Sequence, residues 1–516
     1  MSFMSKLSET LGEDFNTSVT ENGAVGYRTT GKELLDLNFA TSSLRNVSEQ
    51  EISKRFAKAY YENKLLAVKW LFFASDVREG MGERRLFRVC INWLAKEEPY
   101  IVSAVLELIP EYSRWDNILN LLDTDMEAEV IHLIKRQLTE DMKNFAEKKP
   151  VSLLAKWLPS ANASSPITKI YARKIIRDLG ITEKMYRKML SILRKYLDVV
   201  EVKMSSKEWG AIDYSNVPAR ANLIYNKAFL RNDEERRNEF LDSLSKGELK
   251  INAGVLFPHD IVHKYTRGSW GRPTATDTAI EELWKALPDY VNSDNSTICV
   301  ADGSGSMSST VGNTRVTCLD VANALAIYFA ERCSGEFNNK YITFSERPQM
   351  VNLKAEATLR DKIATALQYN EIANTNIEAV FDLILTTAIN SNMSQEEIPK
   401  NILILSDMEF DSCATVNKES YGWGIRRPEK KLFAKFAEKF AEYGYKLPRL
   451  VFWNICSRTG TIPVKENELG VTLVSGFSPA VVKMVLSNKT DPFECLLEQL
   501  NSERYDAIDK AIRAFV

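Results

Sequence analysis

The period of the hydrophobic pattern changes once, near residue 293, and this restricts the chain to two architectures joined end to end. Before that point almost every apolar run recurs at helical spacing. Residues 53–75 (SKRFAKAYYENKLLAVKWLFFAS) are one example, followed by 86–96, 101–108, 127–145, 167–179, 183–197 and 219–229. Gly80, Gly82, Pro99, Pro110, Pro159 and Gly180 punctuate the runs, and Thr182 before Glu183 suits a helix start. Helix pairs with short connections and no strands predict an α-helical repeat, HEAT-like, stacked as a ring or arc. No repeat of fixed period is visible.

Residues 292–296 (NSDNS) form a polar hinge, and strand-like and helix-like runs alternate after it. Residues 297–301 (TICVA), 340–344, 401–406 (NILILS), 450–454 (LVFWN) and 470–474 read as strands. Residues 316–333, 359–369, 377–390, 429–443 and 480–486 read as helices. Near-continuous apolar strands between helices predict a parallel sheet covered on both faces, a doubly wound α/β domain with its ligands at the carboxyl ends of strands. The expected division is 1–292 helical, 293–490 α/β and 491–516 a C-terminal helical segment.

Composition narrows the function classes. With 67 Lys+Arg against 69 Asp+Glu, the 516 residues carry a formal charge of −2. Any nucleic-acid site must therefore be a local patch rather than a property of the whole chain. No window of about 18 apolar residues suggests a membrane span, and the opening MSFMSKLSETLGEDF lacks the apolar centre of a secretory leader. Seven scattered cysteines without a C-x-x-C pair read as reduced, mostly buried thiols. These features predict a cytoplasmic protein without a membrane, acting as a monomer.

The clearest chemical signal follows the first α/β strand: Asp302-Gly303-Ser304-Gly305-Ser306. An acid and two hydroxyls at alternate positions put three oxygens on one side of a tight loop, with glycines allowing the turn. Hard oxygen donors without His or Cys suit Mg²⁺ or another divalent cation. Asn374-Thr375-Asn376 before one helix and Ser406-Asp407 after another strand supply matching oxygens. The bland alternative is a Ser/Gly turn that only caps a helix. The three loops together resemble the metal-ion-dependent adhesion site of a von Willebrand factor A domain. That resemblance implies that Ser304, Ser306 and Thr375 approach the metal and that Asp302 and Asp407 act directly or through water. It also implies an open coordination position for an Asp or Glu of a protein partner. The chain departs from the family at Ala373-Asn374, where Gly-Gly is frequent.

Several strings are similar to a family of unannotated proteins of plants, large viruses and phages: residues 22–26 (NGAVG), 35–39 (LDLNF), 78–85 (REGMGERR), 113–116 (SRWD), 251–259 (INAGVLFPH) and 451–454 (VFWN). In layout that family resembles the TROVE-domain Ro proteins, in which a ring of helical repeats joins a von Willebrand A domain. The resemblance implies binding of single-stranded RNA ends or small structured RNA. The chain's own support is the segment 156–195, where ten Lys/Arg face only Asp178 and Glu183. Lys169, Arg173, Lys174, Arg177, Lys184, Arg187, Lys188, Arg194 and Lys195 are the candidate phosphate contacts, with Tyr171, Tyr186 and Tyr196 interleaved for stacking. Charge runs are usually solvated helix faces, however, and tyrosines at this spacing usually face a core. Arg267 and Arg272 around Trp270, and Arg78, Arg84, Arg85 and Arg88, are secondary groups.

Two motifs carry less than their letters suggest. Gly26-x-x-x-x-Gly31-Lys32 lacks the hydroxyl of a phosphate loop because Glu33 follows, and no apolar strand precedes it. His259-Asp260-Ile261-Val262-His263 spaces two imidazoles like a zinc protease, but with Asp for Glu, and Pro258 at a helix start explains it more simply. The leading expectation is a Ro-like RNA-binding protein, not an enzyme, with a Mg²⁺-binding A domain. The alternatives are a metal-dependent protein-interaction scaffold and, third, a Mg²⁺-dependent nuclease.

Overall fold

The structure is a computed structural model that describes residues 4, 15–267, 272–291, 296–344, 347–370, 376–411, 432–465, 470–485, 489 and 491–516. It divides into two compact units, each discontinuous in sequence: residues 1–63 with 256–502, and residues 64–255 with 503–516. The change of period near 293 thus lies inside the first unit. The polar hinge at 292–295 falls outside the described residues.

The first unit is built on a six-stranded sheet. Its strands are β3 (Thr297–Asp302), β4 (Lys340–Phe344), β5 (Gln349–Asn352), β6 (Asn401–Ser406), β7 (Arg449–Asn454) and β8 (Val471–Ser475), in spatial order β5-β4-β3-β6-β7-β8. Five run parallel, and β5 is an antiparallel edge paired to β4 with Tyr341 opposite Val351. β3, β6 and β8 are buried at every position, as expected of strands covered on both faces. The covering helix Cys318–Arg332 starts on a reciprocal cap, Thr317 accepting from the Asp320 N–H and Asp320 from the Thr317 N–H. Strand order reverses beside β3, which makes its carboxyl end the topological switch point where doubly wound sheets bind ligands.

The N-terminal segment departs from the all-helical expectation. Thr17–Val19 (β1) and Val25–Tyr27 (β2) form a small antiparallel hairpin, and Tyr27 bridges to Ile462 beyond β7. Gly26 allows this approach: a Cβ there would lie 2.6 Å from Thr461 Cγ2 and 2.7 Å from the Ile462 carbonyl oxygen. The supposed phosphate loop is therefore a packing glycine in a strand. The single helix expected over 53–75 is two, Glu49–Glu62 and Lys64–Ser75. Asn63 adopts an extended backbone (φ −156°, ψ 104°) that no continuous helix permits.

The second unit is helical throughout, and no strand occurs among its residues. Helix Lys64–Ser75 packs on Arg84–Glu97, Glu127–Ala146 on Pro166–Leu179 and Glu183–Tyr196, and Ala219–Asn232 on Glu234–Ser245. The expected punctuation sets the ends. Ser165 caps the helix that Pro166 opens, Gly180 closes it in the left-handed conformation (φ +67°), and Thr182 caps the next. The chain end returns as helix Asp506–Ile512 against Lys64–Ser75 and Pro99–Val105, with Arg504 Nε 2.8 Å from buried Asp76. The 491–516 segment is thus shared, since Pro492–Leu500 belongs to the first unit.

Arg237 is fully buried among Tyr214, Phe229 and Phe240, donating to Asn226 Oδ1 at 3.0 and 2.9 Å and to Asn222 Oδ1 at 3.0 Å. Arg237→Leu strips both amide oxygens of these donors inside an apolar shell. Chemical denaturation is expected to show the second unit destabilised by ~2–3 kcal/mol, and a loss well under 1 kcal/mol would mean that water or a rotated amide replaces the guanidinium.

Candidate functional site

The loop after β3 is fixed from both sides. Asp302, 1% exposed, ends the strand, and its Oδ1 accepts the Ser304 N–H at 2.9 Å, an Asx turn that folds the loop back. Gly303 passes so close to β4 that a Cβ would stand 2.9 Å from Thr343 Oγ1. Ser304 and Ser306 then present their hydroxyls 3.0 Å apart. From β6, Ser406 donates to Asp302 Oδ2 at 2.6 Å and accepts the Met408 N–H at 3.0 Å. Met408 takes a left-handed backbone (φ +62°). Asp407, 2% exposed, meets the Ser306 hydroxyl, and its Oδ1 accepts the Glu409 N–H at 3.3 Å.

Four of the five expected metal residues, Asp302, Ser304, Ser306 and Asp407, therefore meet in one hydrogen-bonded cluster. Thr375 lies outside the described residues, as do Ala373 and Asn374. The chain enters that segment at the cluster's edge, because Asn370 Cα and the Tyr369 carbonyl oxygen lie 3.6 Å from a Cβ built on Gly303. Asn376, just after it, caps the next helix by accepting the Ala379 N–H. Ser406, read from the sequence with Asp407 as a strand-end source of matching oxygens, orients Asp302, a role the sequence did not expose.

Burial dominates the electrostatics. Desolvation, then the neighbouring Asp407 charge, pushes Asp302 up to about 7 against the hydrogen bonds from Ser406 and Ser304. Burial also raises Asp407, opposed by Ser306 and by Arg458, whose Nη2 stands 3.6 Å from Asp407 Oδ2. Two buried carboxyls that resist ionisation are the environment a divalent cation relieves, since it removes the repulsion and supplies the missing counter-charge. The donors are all hard oxygens, so the residues fit Mg²⁺.

The N-terminal segment lies across the carboxyl edge of the same sheet. Buried Glu409 accepts from the backbone N–H groups of Glu21, Arg458 and Thr459 and from the Ser457 and Thr459 hydroxyls, at 2.8–3.2 Å. Ser42 Oγ donates to the Asn454 carbonyl at 2.7 Å, and Asn454 Nδ2 to the Phe39 carbonyl at 2.8 Å. Arg458 is also held by Glu21 at 2.5 Å. Each of these contacts joins a donor and an acceptor at least 48 residues apart in sequence.

The basic segment divides into structural and unpaired cations. Arg194 donates to the Ala155 and Leu158 carbonyls and to Ser160 Oγ at 2.7–2.8 Å, which makes it an internal anchor. Lys174 is paired with Glu127 and Asp123, and Arg177 with Asp178 and Glu127. Lys169, Arg173, Lys184, Arg187, Lys188 and Lys195 have no hydrogen-bonding or ionic partner among the described residues and, apart from half-buried Lys169, are exposed. The tyrosines are not free platforms. Tyr186 is buried and donates to the Pro159 carbonyl, Tyr171 bonds Asp123, and Tyr196 bonds the Lys149 carbonyl with its ring edge-on to Phe145. Arg267 and Arg272, in the first unit, are exposed, and Trp270 lies outside the described residues. The histidine pair is dispersed: His259 packs against Phe477, and His263 Nδ1 faces Asp320 Oδ2 at 3.2 Å. Among the described residues no three His, Cys, Asp or Glu side chains converge, and no helix is long and apolar enough to cross a membrane.

Comparison with known proteins matches residues 296–511 to a family described as "Domain of unknown function (DUF7788)" and residues 20–115 and 173–296 to "Domain of unknown function (DUF2828)". The chain is 29% identical over 528 residues to "Uncharacterized protein L728" of Acanthamoeba polyphaga mimivirus, spanning 94% of this chain and 87% of that protein. Among solved structures, the crystal structure of the Deinococcus radiodurans Ro (RSR) protein aligns over 91% of this chain and 93% of its own, with a TM-score of 0.43 and 13% identity.

A carboxyl raised in the folded state binds its proton more tightly than in the unfolded chain, so stability falls as pH rises from the unfolded value towards about 7. In chelator, the melting temperature of the first unit is expected to drop between pH 5 and 8, and millimolar Mg²⁺ is expected to abolish the drop. A melting temperature equally insensitive to pH with and without Mg²⁺ would contradict this electrostatic account.

Proposed function

We propose that the first unit is a divalent-cation-dependent binding module. Asp302, Ser304, Ser306 and Asp407 would hold Mg²⁺ or a similar ion, with Thr375 as a further donor, and the cation would supply a Lewis-acidic position for an oxygen of a partner's Asp or Glu. One observation carries the reading: two buried carboxyls and two serine hydroxyls, from loops about a hundred residues apart in sequence, converge at the switch point of the sheet. The reading is of binding rather than catalysis. The acids are tied into hydrogen bonds that orient them, and the proposal gives none of them a proton to transfer.

Calorimetry of the full chain with Mn²⁺ or Mg²⁺ is expected to show one site. Asp302→Ala and Asp407→Ala should each weaken it at least about tenfold, as removal of a charged ligand does. Because a proton on Asp302 competes with the ion, affinity should fall roughly tenfold from pH 8 to pH 6. Binding that survives both substitutions would end the proposal.

A second reading, RNA binding by the second unit, is favoured by a separate observation. Unpaired Lys184, Arg187 and Lys188 line a groove of about 700 Å³ together with Ser160, Asn162 and the anchored Arg194; Lys195 is likewise unpaired on the same helix, and Arg173 on the preceding helix Pro166–Leu179, which does not line the groove. Such cations suit phosphates, and affinity for a single strand should fall steeply with salt. Changing Arg173, Lys184, Arg187 and Lys188 together to Glu is expected to weaken filter binding of a short single-stranded RNA by more than about tenfold. Unchanged binding would remove the surface from consideration.

A further inference from the structure

A cavity in the first unit is used by neither reading above. It holds about 650 Å³, within the range of ~300–1,000 Å³ typical of small-molecule sites. Its lining comes from helix Glu33–Ala40, helix Glu49–Glu62, the hairpin β1–β2 with the turn after it, and the loop 457–462 after β7, all within that unit.

The lining charges do not balance. Arg28, Lys54, Arg55, Lys58 and Arg458 stand against Glu33, Asp36 and Glu51, an excess of two positive charges. Internal bonds already engage the three acids. Glu33 Oε1 accepts from Lys58 at 3.0 Å and Glu51 Oε1 from Arg55 at 2.8 Å. Asp36 Oδ1 accepts the Thr30 N–H and hydroxyl at 2.8 and 2.7 Å. Arg458 is spent on Glu21. Two cations are left over, and both are exposed. Arg28 donates only through Nε, to the Thr17 carbonyl at 2.9 Å, and Lys54 has no hydrogen bond or ion pair among the described residues. A phosphate monoester carries roughly −1.5 to −2 charge near neutral pH and offers three strong acceptor oxygens, which matches this excess.

The rest of the lining suits a different group. The hydroxyls of Ser18, Ser43 and Thr461 can both donate and accept, and Glu33 Oε2 has no partner among the described residues. Carboxylates in the wall repel a bare inorganic anion, whereas sugar hydroxyls use them as acceptors. Leu37, Phe39 and Leu44 add apolar lining for the C–H face of a ring. We propose that this cavity binds a sugar phosphate, free or as part of a mononucleotide, with Arg28 and Lys54 on the phosphate and Glu33 and the hydroxyls on the sugar.

The test uses the full chain in chelator, so that a cation at Asp302 and Asp407 plays no part. Calorimetry with ribose 5-phosphate and with adenosine monophosphate is expected to show one saturable site. Similar affinities assign the free sugar phosphate, and a preference for adenosine monophosphate beyond about tenfold assigns the mononucleotide. Inorganic phosphate and adenosine should each bind at least about tenfold more weakly than the preferred ligand, since each lacks part of what the cavity recognises. Arg28→Gln and Lys54→Gln should each weaken that ligand about tenfold, the loss of one charged hydrogen bond. Lys188→Gln, in the second unit, should leave it unchanged. In the unsubstituted chain the ligand should slow acetylation of Lys54 by acetic anhydride and spare Lys188. Absence of saturable binding, phosphate or adenosine binding as tightly, or affinity that follows Lys188 instead of Arg28 and Lys54 overturns the proposal. If a variant fails to fold, the acetylation decides alone, and an unprotected Lys54 overturns the proposal.

Discussion

Asp302 and Asp407 are buried at the same sheet edge, and the cost of ionising both there governs the local structure. Each carboxyl takes hydrogen bonds from its immediate surroundings: Asp302 from Ser406 on the neighbouring strand β6 and from Ser304 of its own loop, Asp407 from Ser306. The donors oppose the desolvation without cancelling it, so Asp302 stays high. A divalent ion would complete the compensation, and the hard-oxygen donor set sets the kind of ion.

Around this centre the N-terminal segment supplies a second layer of order. Glu409 gathers five donors from residues 21 and 457–459 and so fixes the backbone that carries Arg458. Arg458 in turn faces Asp407 and bears on Cys456. The cation cluster and the N-terminal segment are therefore joined through Glu409 and Arg458.

The helical unit shows how a run of like charges divides into roles. Three of its cations are used internally, Arg194 as a donor to two carbonyls and a hydroxyl, Lys174 and Arg177 in ion pairs. Tyrosines that suggested stacking platforms instead serve packing, as Tyr186 does with its hydroxyl on the Pro159 carbonyl. The exposed, unpaired lysines and arginines that remain would offer a polyanion, under the second reading proposed above, electrostatic contact with its phosphates rather than readout of its bases.

Much of the fold was legible because its causes are local. Apolar continuity marks β3, β6 and β7, and a hydroxyl before Pro166 or Glu183 marks a helix start within one turn. The Asp302–Ser306 spacing also places its oxygens together within five residues, whatever the rest of the chain does. The sequence pattern by itself therefore determined the α/β sheet, the helical second unit and the loop chemistry. Only the tertiary structure decided that Glu409 would clasp Glu21 across 388 residues, and which cations would be left unpaired. It also decided that the compact units would break at 63 and 256 rather than at the change of period. Those outcomes rest on contacts between distant segments, and periodicity and capping, which act over a few residues, carry no information about them.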